Sequence, residues 1–318
     1  MPLTEPIVFE PIYMERVWGG RRLESLYGKR LPNGVPIGES WELVDRADAQ
    51  SVVQEGPLRG VTLHELWTSR RAEIFGAGLA ETERFPLLFK LLDAQDRLSV
   101  QVHPPAEVAA RLGGEPKTEM WYFLDTLPGS DLYAGLKRGV TRASFEHALV
   151  GGHVADTINR RPSRAGEAFF IPTGRVHAIG AGNVIFEVQQ NSDTTYRVFD
   201  WNRLGLDGKP RTLHVVESLE SINFDDPEPG VTERRGELVV ECEFFRVEQW
   251  SLAGPRACGA GAFAVFAVFA VEHGAVECGG RTFCAGELFL VPAGWKNAEL
   301  VPHAPGTTVL RTTVPARS

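Results

Sequence analysis

The chain has 318 residues, 43% of them hydrophobic, more than one compact core usually needs, and two domains are expected. A formal charge of -8 leaves no electrostatic footprint for nucleic acid or an anionic lipid surface, so an anionic substrate would have to meet a locally basic pocket. The longest apolar run, 262–271, is about half of the roughly 20 residues that span a bilayer, and the N-terminus lacks the basic head and apolar stretch of a secretion signal; a cytoplasmic protein is expected.

The 33 glycines and 21 prolines cut the chain into many short apolar runs, the pattern of β-sandwiches and barrels rather than of alternating βαβ units. No GxGxxG or GxxxxGK[ST] fingerprint occurs, which argues against a nucleotide-binding α/β fold. In chain order, helical periodicity marks 63–75, 106–112, 144–149 and 213–222, and strand patterns mark 86–93, 98–103, 121–126, 167–172, 184–190 and 196–201. These make a first, larger, mainly β domain over residues 1–230, with helices inserted between strands. The segment 225–236, DDPEPGVTERRG, has no apolar period to pack and marks the boundary. Beyond it, runs at 238–242, 244–252, 263–272, 286–292 and 307–313 suit a smaller barrel over 236–318. The four cysteines (Cys242, Cys258, Cys278, Cys284) form no CxxC pair and read as free thiols, although Cys278 and Cys284 could face each other across a hairpin.

An internal repeat supports this division. Gly166-EAFFI-Pro172-T-Gly174-RV-His177 recurs with the same spacing as Gly286-ELFLV-Pro292-A-Gly294-WK-Asn297. Each copy reads as a strand entered through glycine and ended by a Pro-x-Gly turn, in which proline sets φ and glycine accepts φ > 0. Only the first copy carries an imidazole after the turn. Histidine there could equally be a core or capping residue, so the spacing alone leaves its role open.

In the strand LSVQVHPP, alternation puts Ser99, Gln101 and His103 on one face and Leu98, Val100 and Val102 on the other. Three polar side chains on one wall of a core strand need buried partners or a polar cavity. The segment Lys117-Thr-Glu119 enters the hydrophobic run MWYFL with Lys117 and Glu119 also two apart, so that Glu119 can add a carboxylate to His103 and His177. Two histidines and a carboxylate suit a catalytic Zn²⁺ with an open position, and the same set suits Fe²⁺ or Mn²⁺. A surface ion pair is the simpler reading of Lys117 and Glu119, weakened by the aromatic run beside them.

The paired Gly-x5-Pro-x-Gly-x2-His segments resemble the second motif of the cupin barrel, and Asn297 implies a second barrel without metal. More specifically, PLLFKLLDAQDRLSVQVHP, KTEMWYFL, FFIPTGRVHAIG and QNSDTTYRVFDWNR, spanning roughly residues 86–203, resemble the type I mannose-6-phosphate isomerases, especially the short bacterial form without a separate helical domain. Arg16-Val-Trp18-Gly-Gly and Gly38-Glu-Ser-Trp41-Glu resemble that family's N-terminal signatures.

The resemblance implies two cupin-type β-barrels and reversible interconversion of mannose 6-phosphate and fructose 6-phosphate. It implies one Zn²⁺ per chain on Gln101, His103, Glu119 and His177. It carries the catalytic roles to Arg197, Lys117 and Asp193. Ser99 and Lys90 become the phosphate candidates, and Trp18 an edge of the substrate site. The partner expected is a small sugar phosphate, with no nucleic acid or membrane, for a monomer or weak homodimer. The chemistry agrees, because an aldose–ketose shift moves a proton between adjacent carbons while charge builds on the enediolate oxygens, which a metal and a fixed guanidinium would stabilise. Two other classes remain at this point: an Fe²⁺- or Mn²⁺-dependent cupin oxygenase, and a sugar-phosphate-binding cupin without turnover. Lys117, Ser99 and Arg197 have little purpose in the first, and retention of the whole ligand set argues against the second.

Overall fold

A computed structural model describes residues 3–79, 81–258 and 265–315. Its strands pair antiparallel within four larger sheets and one two-stranded ribbon. The first sheet runs Ile12–Gly20, Ile37–Leu43, Leu87–Ala94, Asn183–Gln190, Glu119–Thr126 and Ala168–Ile171 in spatial order. The second runs Tyr196–Phe199, Val100–Val102, His177–Ile179, Asp131–Leu136 and Ile158–Pro162. Two further sheets are built entirely from residues after 237.

Every strand marked in the first 230 residues forms within two residues of its expected ends. The helix 106–112 forms as Ala106–Leu112, whereas 63–75 splits at Arg70 into Leu63–Ser69 and Arg71–Ile74. Thr62 starts the first of these through a capping box, its hydroxyl accepting the Glu65 N–H at 3.1 Å while Glu65 accepts the Thr62 N–H at 2.8 Å. The expected strand 263–272 forms as Ala267–His273, and its residues 263 and 264 lie outside the described ones.

Several strands were not anticipated. Ile37–Leu43 carries Glu39 and Glu42, which break an apolar pattern, yet all seven of its residues are buried because both glutamates find cations. Asp131–Leu136 is interrupted by Gly135 at φ 66°, where a Cβ would fall 2.3 Å from Pro229 Cδ. The hairpin of Ala275–Cys278 and Arg281–Cys284 sets Cys278 against Arg281 and Cys284 against Ala275, so Cys278 and Cys284 are not opposite one another, and both are free thiols.

The repeat is visible as structure. Gly166 and Gly286 enter their strands at φ 84° and 83°, and Gly174 takes φ 82° in the turn as expected. Gly294 does not have positive φ. It is needed for close approach instead, since its N–H donates to Glu73 O at 3.1 Å and a Cβ would meet that oxygen at 3.0 Å. After the first turn His177 opens a strand facing Gln101 and Ala134; after the second, Asn297 lies exposed in a turn.

No sheet crosses residues 200–237, but one hydrophobic core does. It joins Phe75, Phe85 and Leu87 to Val247, Phe266 and Leu290. Phe266 packs edge-on to Phe75 at 5.3 Å and tilted on Phe85 at 5.4 Å, and Ile7 is hydrogen-bonded to Leu290 in both directions at 2.8 Å.

Candidate metal centre and substrate cavity

The first two sheets face each other and between them bring the expected ligands together. In the second sheet Gln101 is the cross-strand neighbour of both His177 and Arg197, which places the three in one row. Glu119 comes from the opposite sheet. His103, Glu119 and His177 are buried, and one ligand atom from each lies within 4.8 Å of the others. His103 Nε2 is 3.3 Å and His177 Nε2 3.5 Å from the two oxygens of Glu119, and Gln101 Nε2 is 3.2 Å from His177 Nε2.

The other nitrogen of each imidazole is fixed by a backbone carbonyl. His103 Nδ1 donates to Thr194 O at 2.9 Å and His177 Nδ1 to Arg175 O at 2.8 Å, so both Nε2 lone pairs point at the cluster. Burial, the largest influence on each, holds both imidazoles below their ordinary pKa, His177 at about 3. Burial would raise Glu119, but the Lys117 ammonium beside it holds it well below the usual carboxylate range. Neutral imidazoles around an ionised carboxylate are the protonation states a divalent cation requires. His103 Nε2 and Glu119 Oε1 are buried atoms that no hydrogen bond satisfies, and Glu119 Oε2 has only the Lys117 ammonium beside it at 2.9 Å, an arrangement that is costly unless a cation takes the remaining lone pairs. The donor set therefore fits a metal ion.

A cavity of about 550 Å³ opens above this cluster. Gln101 and Lys117 line it and touch the cluster as well, Lys117 Nζ standing 2.9 Å from Glu119 Oε2. Trp18, Lys90, Ser99, Asp193 and Arg197, all expected from sequence, line it too. Ser99 donates to Gln101 Oε1 at a long 3.4 Å. Arg197 Nη1 donates to Thr212 O at 2.8 Å while its Nε is buried without a partner. Burial lowers the Arg197 pKa most, and the positive charges of Arg211, Arg203 and Arg16 add to this against the opposing pull of Asp200. Five cations (Arg16, Lys90, Lys117, Arg197, Arg211) line the cavity beside five carboxylates (Glu15, Glu39, Glu187, Asp193, Asp207), so its lining is balanced in a chain whose net charge is -8.

Lys90, the phosphate candidate, is already paired with carboxylates. It is only 3% exposed and lies 3.1 Å from Glu187 and 3.8 Å from Glu39, and although burial opposes its charge, those carboxylates raise its pKa. Six charged lining residues carried no role in the sequence reading: Glu15, Arg16, Glu39, Glu187, Asp207 and Arg211. For Glu187 the available signal was a single charge inside the apolar strand VIFEV, buried on both sides. His214 accepts the Arg197 N–H at 3.3 Å and donates its own backbone N–H to Arg197 O at 2.8 Å.

Facing antiparallel sheets of cupin type around a buried His–Glu–His cluster define a cupin with a candidate metal site beside a polar cavity. The family described as phosphomannose isomerase type I, catalytic domain, matches residues 7–122. Mannose-6-phosphate isomerase ManA of Bacillus subtilis (strain 168) is 39% identical over 264 residues, 79% of this chain and 81% of its own. The crystal structure of the mannose 6-phosphate isomerase from Bacillus subtilis superposes with a TM-score of 0.84 at 29% identity, covering 98% of this chain and 100% of that one. At 17% identity and a TM-score of 0.75, the fold is shared, over 98% of this chain and 99% of the other, with a mannose 6-phosphate isomerase crystallised with zinc and yttrium. This chain belongs to the type I mannose-6-phosphate isomerase family.

Proposed function

We infer that the protein interconverts mannose 6-phosphate and fructose 6-phosphate, with one Zn²⁺ held by His103, Glu119, His177 and Gln101. The observation that carries this reading is the set of buried, unsatisfied ligand atoms beneath a cavity walled by Lys117, Asp193 and Arg197. Bound there, the ion supplies Lewis acidity for negative charge developing on the sugar's O1 and O2.

The rest is done by side chains. Arg197, in register with Gln101, offers its planar fork of donors to the enediolate. His214 and Thr212 hold its backbone and one end of its guanidinium, so little reorganisation is needed as charge builds. Asp193 and Lys117 Nζ are assigned the proton that leaves C2 and returns to C1, with Lys117 kept oriented by Glu119. Ser99 and Lys90 bind the phosphate end. Arg16 and Arg211 in the same cavity add positive charge for a dianion, each of them, like Lys90, already beside a carboxylate: Glu39 for Arg16 and Asp200 for Arg211. The large face of Trp18 forms the edge of the sugar site. Residues 1–230 are assigned to the catalytic barrel and 236–318 to the smaller barrel without a metal.

A coupled assay on mannose 6-phosphate before and after chelation, with elemental analysis of the same sample, tests this reading. Activity that disappears with chelation and returns with Zn²⁺ is the expected result. Metal-loaded protein without isomerisation would overturn it.

A further inference from the structure

The excursion that follows the strand Tyr196–Phe199 enters the chemistry above only through Arg211. It begins at Trp201 and Asn202, at φ 57° and 55°, a region that residues other than glycine rarely adopt and that persists only where the surroundings enforce it. Here they do. Trp201 Nε1 donates to Leu98 O at 2.6 Å, with the Arg97 guanidinium 4.1 Å over its ring. Asp200 then clips the two arms together, accepting from Arg203 Nε at 3.0 Å on one side and from Arg211 Nε at 2.6 Å on the other. Leu204 bridges to Pro210, and the Gly205 N–H donates to Lys209 O at 2.7 Å, which closes the tip.

This clamped tip is turned to the substrate cavity, with Gly205, Leu206 and Asp207 among its lining residues. Leu206 is 55% exposed, although the same cavity has apolar walls at Trp18, Leu92, Leu98 and Ile179. One exposed leucine needs no explanation. A leucine set by a strained, ion-clamped loop at the mouth of a reaction cavity does, because its apolar surface is withdrawn from water only when something fills that cavity.

We propose that Leu206 is the water-excluding residue of the site, a fixed apolar roof over the bound sugar phosphate. The proposal rests on the isomerase reading. In that reaction the C2–H bond breaks and its electrons form the enediol double bond. An enzyme group holds the proton and returns it to C1, while the O2 hydroxyl proton passes to O1. With the monoprotic Asp193 carboxyl as the carrier, isotope from the solvent enters the product only if water reaches that carboxyl before the proton returns. The roof therefore sets the fraction of turnovers that exchange.

The test is isomerisation of mannose 6-phosphate in D₂O by the metal-loaded enzyme, with deuterium in the product measured at low conversion. Wild type should incorporate well under one deuteron per turnover, and Leu206→Ser several-fold more, with a raised KM and an unchanged melting temperature. Leu204→Ser is the control, since Leu204 is 53% exposed on the same loop but does not line the cavity; it should match wild type. Equal incorporation by Leu206→Ser and wild type, or a full deuteron per turnover in wild type, would overturn the proposal. Absence of isomerisation in wild type would instead overturn the activity on which it rests, a result that product analysis separates at once from turnover with unchanged exchange.

Discussion

His177 and Arg197 flank Gln101 in one row of the second sheet, yet they should fail differently when removed. His177→Ala deletes one of the four side chains proposed to hold the cation, so metal content should fall from one per chain to near zero and isomerisation with it. Near-native circular dichroism should persist, because the cores on either side do not depend on the imidazole. Arg197→Ala should keep the metal and lower kcat by about 10²–10³-fold, the loss typical of one well-placed oxyanion donor. Elemental analysis beside steady-state kinetics separates the two. Glu39 offers a further test, through pH. Burial alone would raise its carboxyl, but Lys90 and Arg16, with a hydrogen bond from the Trp41 indole, hold it at about 2 against an ordinary 4.5. Because the folded-state pKa is the lower one, the stabilisation is complete above about pH 4.5 and is lost as pH falls towards 2. That gap corresponds to roughly 3 kcal/mol, an order of magnitude only. Glu39→Gln should accordingly show a shallower loss of stability than wild type between pH 4.5 and 2, read from denaturant midpoints across that range.

At the scale of elements, the turn Pro172–Gly174 does more than end a strand. Gly174 donates its N–H to His103 O at 2.8 Å and accepts from the Asn223 N–H at 2.8 Å, so one glycine ties the two histidine segments together. At φ 82°, with a Cβ position 3.2 Å from Ser221 O, Gly174→Ala combines left-handed strain with crowding. It should destabilise the protein by about 1–2 kcal/mol. It should also weaken metal retention, measurable by the rate of release to a chromophoric chelator, whereas a turn that merely changed direction would leave that rate alone. This element was legible in the sequence because the Gly-Pro-Gly punctuation appears twice with equal spacing. The wall of Ser99, Gln101 and His103 was legible for a similar reason, since strand alternation assigns faces without knowledge of the partner strands. What escaped was whatever depends on pairing across the fold. Glu39 and Glu187 carry no role in any local pattern until Lys90 is set between them, and Gly294 looks like a twin of Gly174 until the carbonyl of Glu73 comes near enough to explain it. The excursion 203–211 gave no apolar period at all, and its form comes from Asp200 and two arginines whose meeting no local pattern encodes.

For the molecule as a whole, the question is whether two barrels make two folding units. The linker 225–236 and the separation of the sheets favour division, but the apolar core does not observe it. Phe75 and Phe85 meet Phe266, all three fully buried, and Tyr122 from the metal-bearing half donates to Glu272 at 2.6 Å while accepting from Gln249 Nε2 at 2.7 Å. A chain ending at residue 230 would leave the rings of Phe75 and Phe85 open to water and Tyr122 without either partner. Fully burying one such ring is worth roughly 1.5–3 kcal/mol, so several together rival the 5–15 kcal/mol that holds a typical domain folded. Residues 1–230 alone should therefore be aggregation-prone or partly unfolded, and the full chain should melt in one calorimetric transition. Phe266→Ala, which cuts the shared cluster from the C-terminal side, should cost about 3–5 kcal/mol and shift that single transition downwards. Two resolved transitions, of which Phe266→Ala moves only the one belonging to the smaller barrel, would instead mean that the halves fold separately and that the metal site owes nothing to its neighbour.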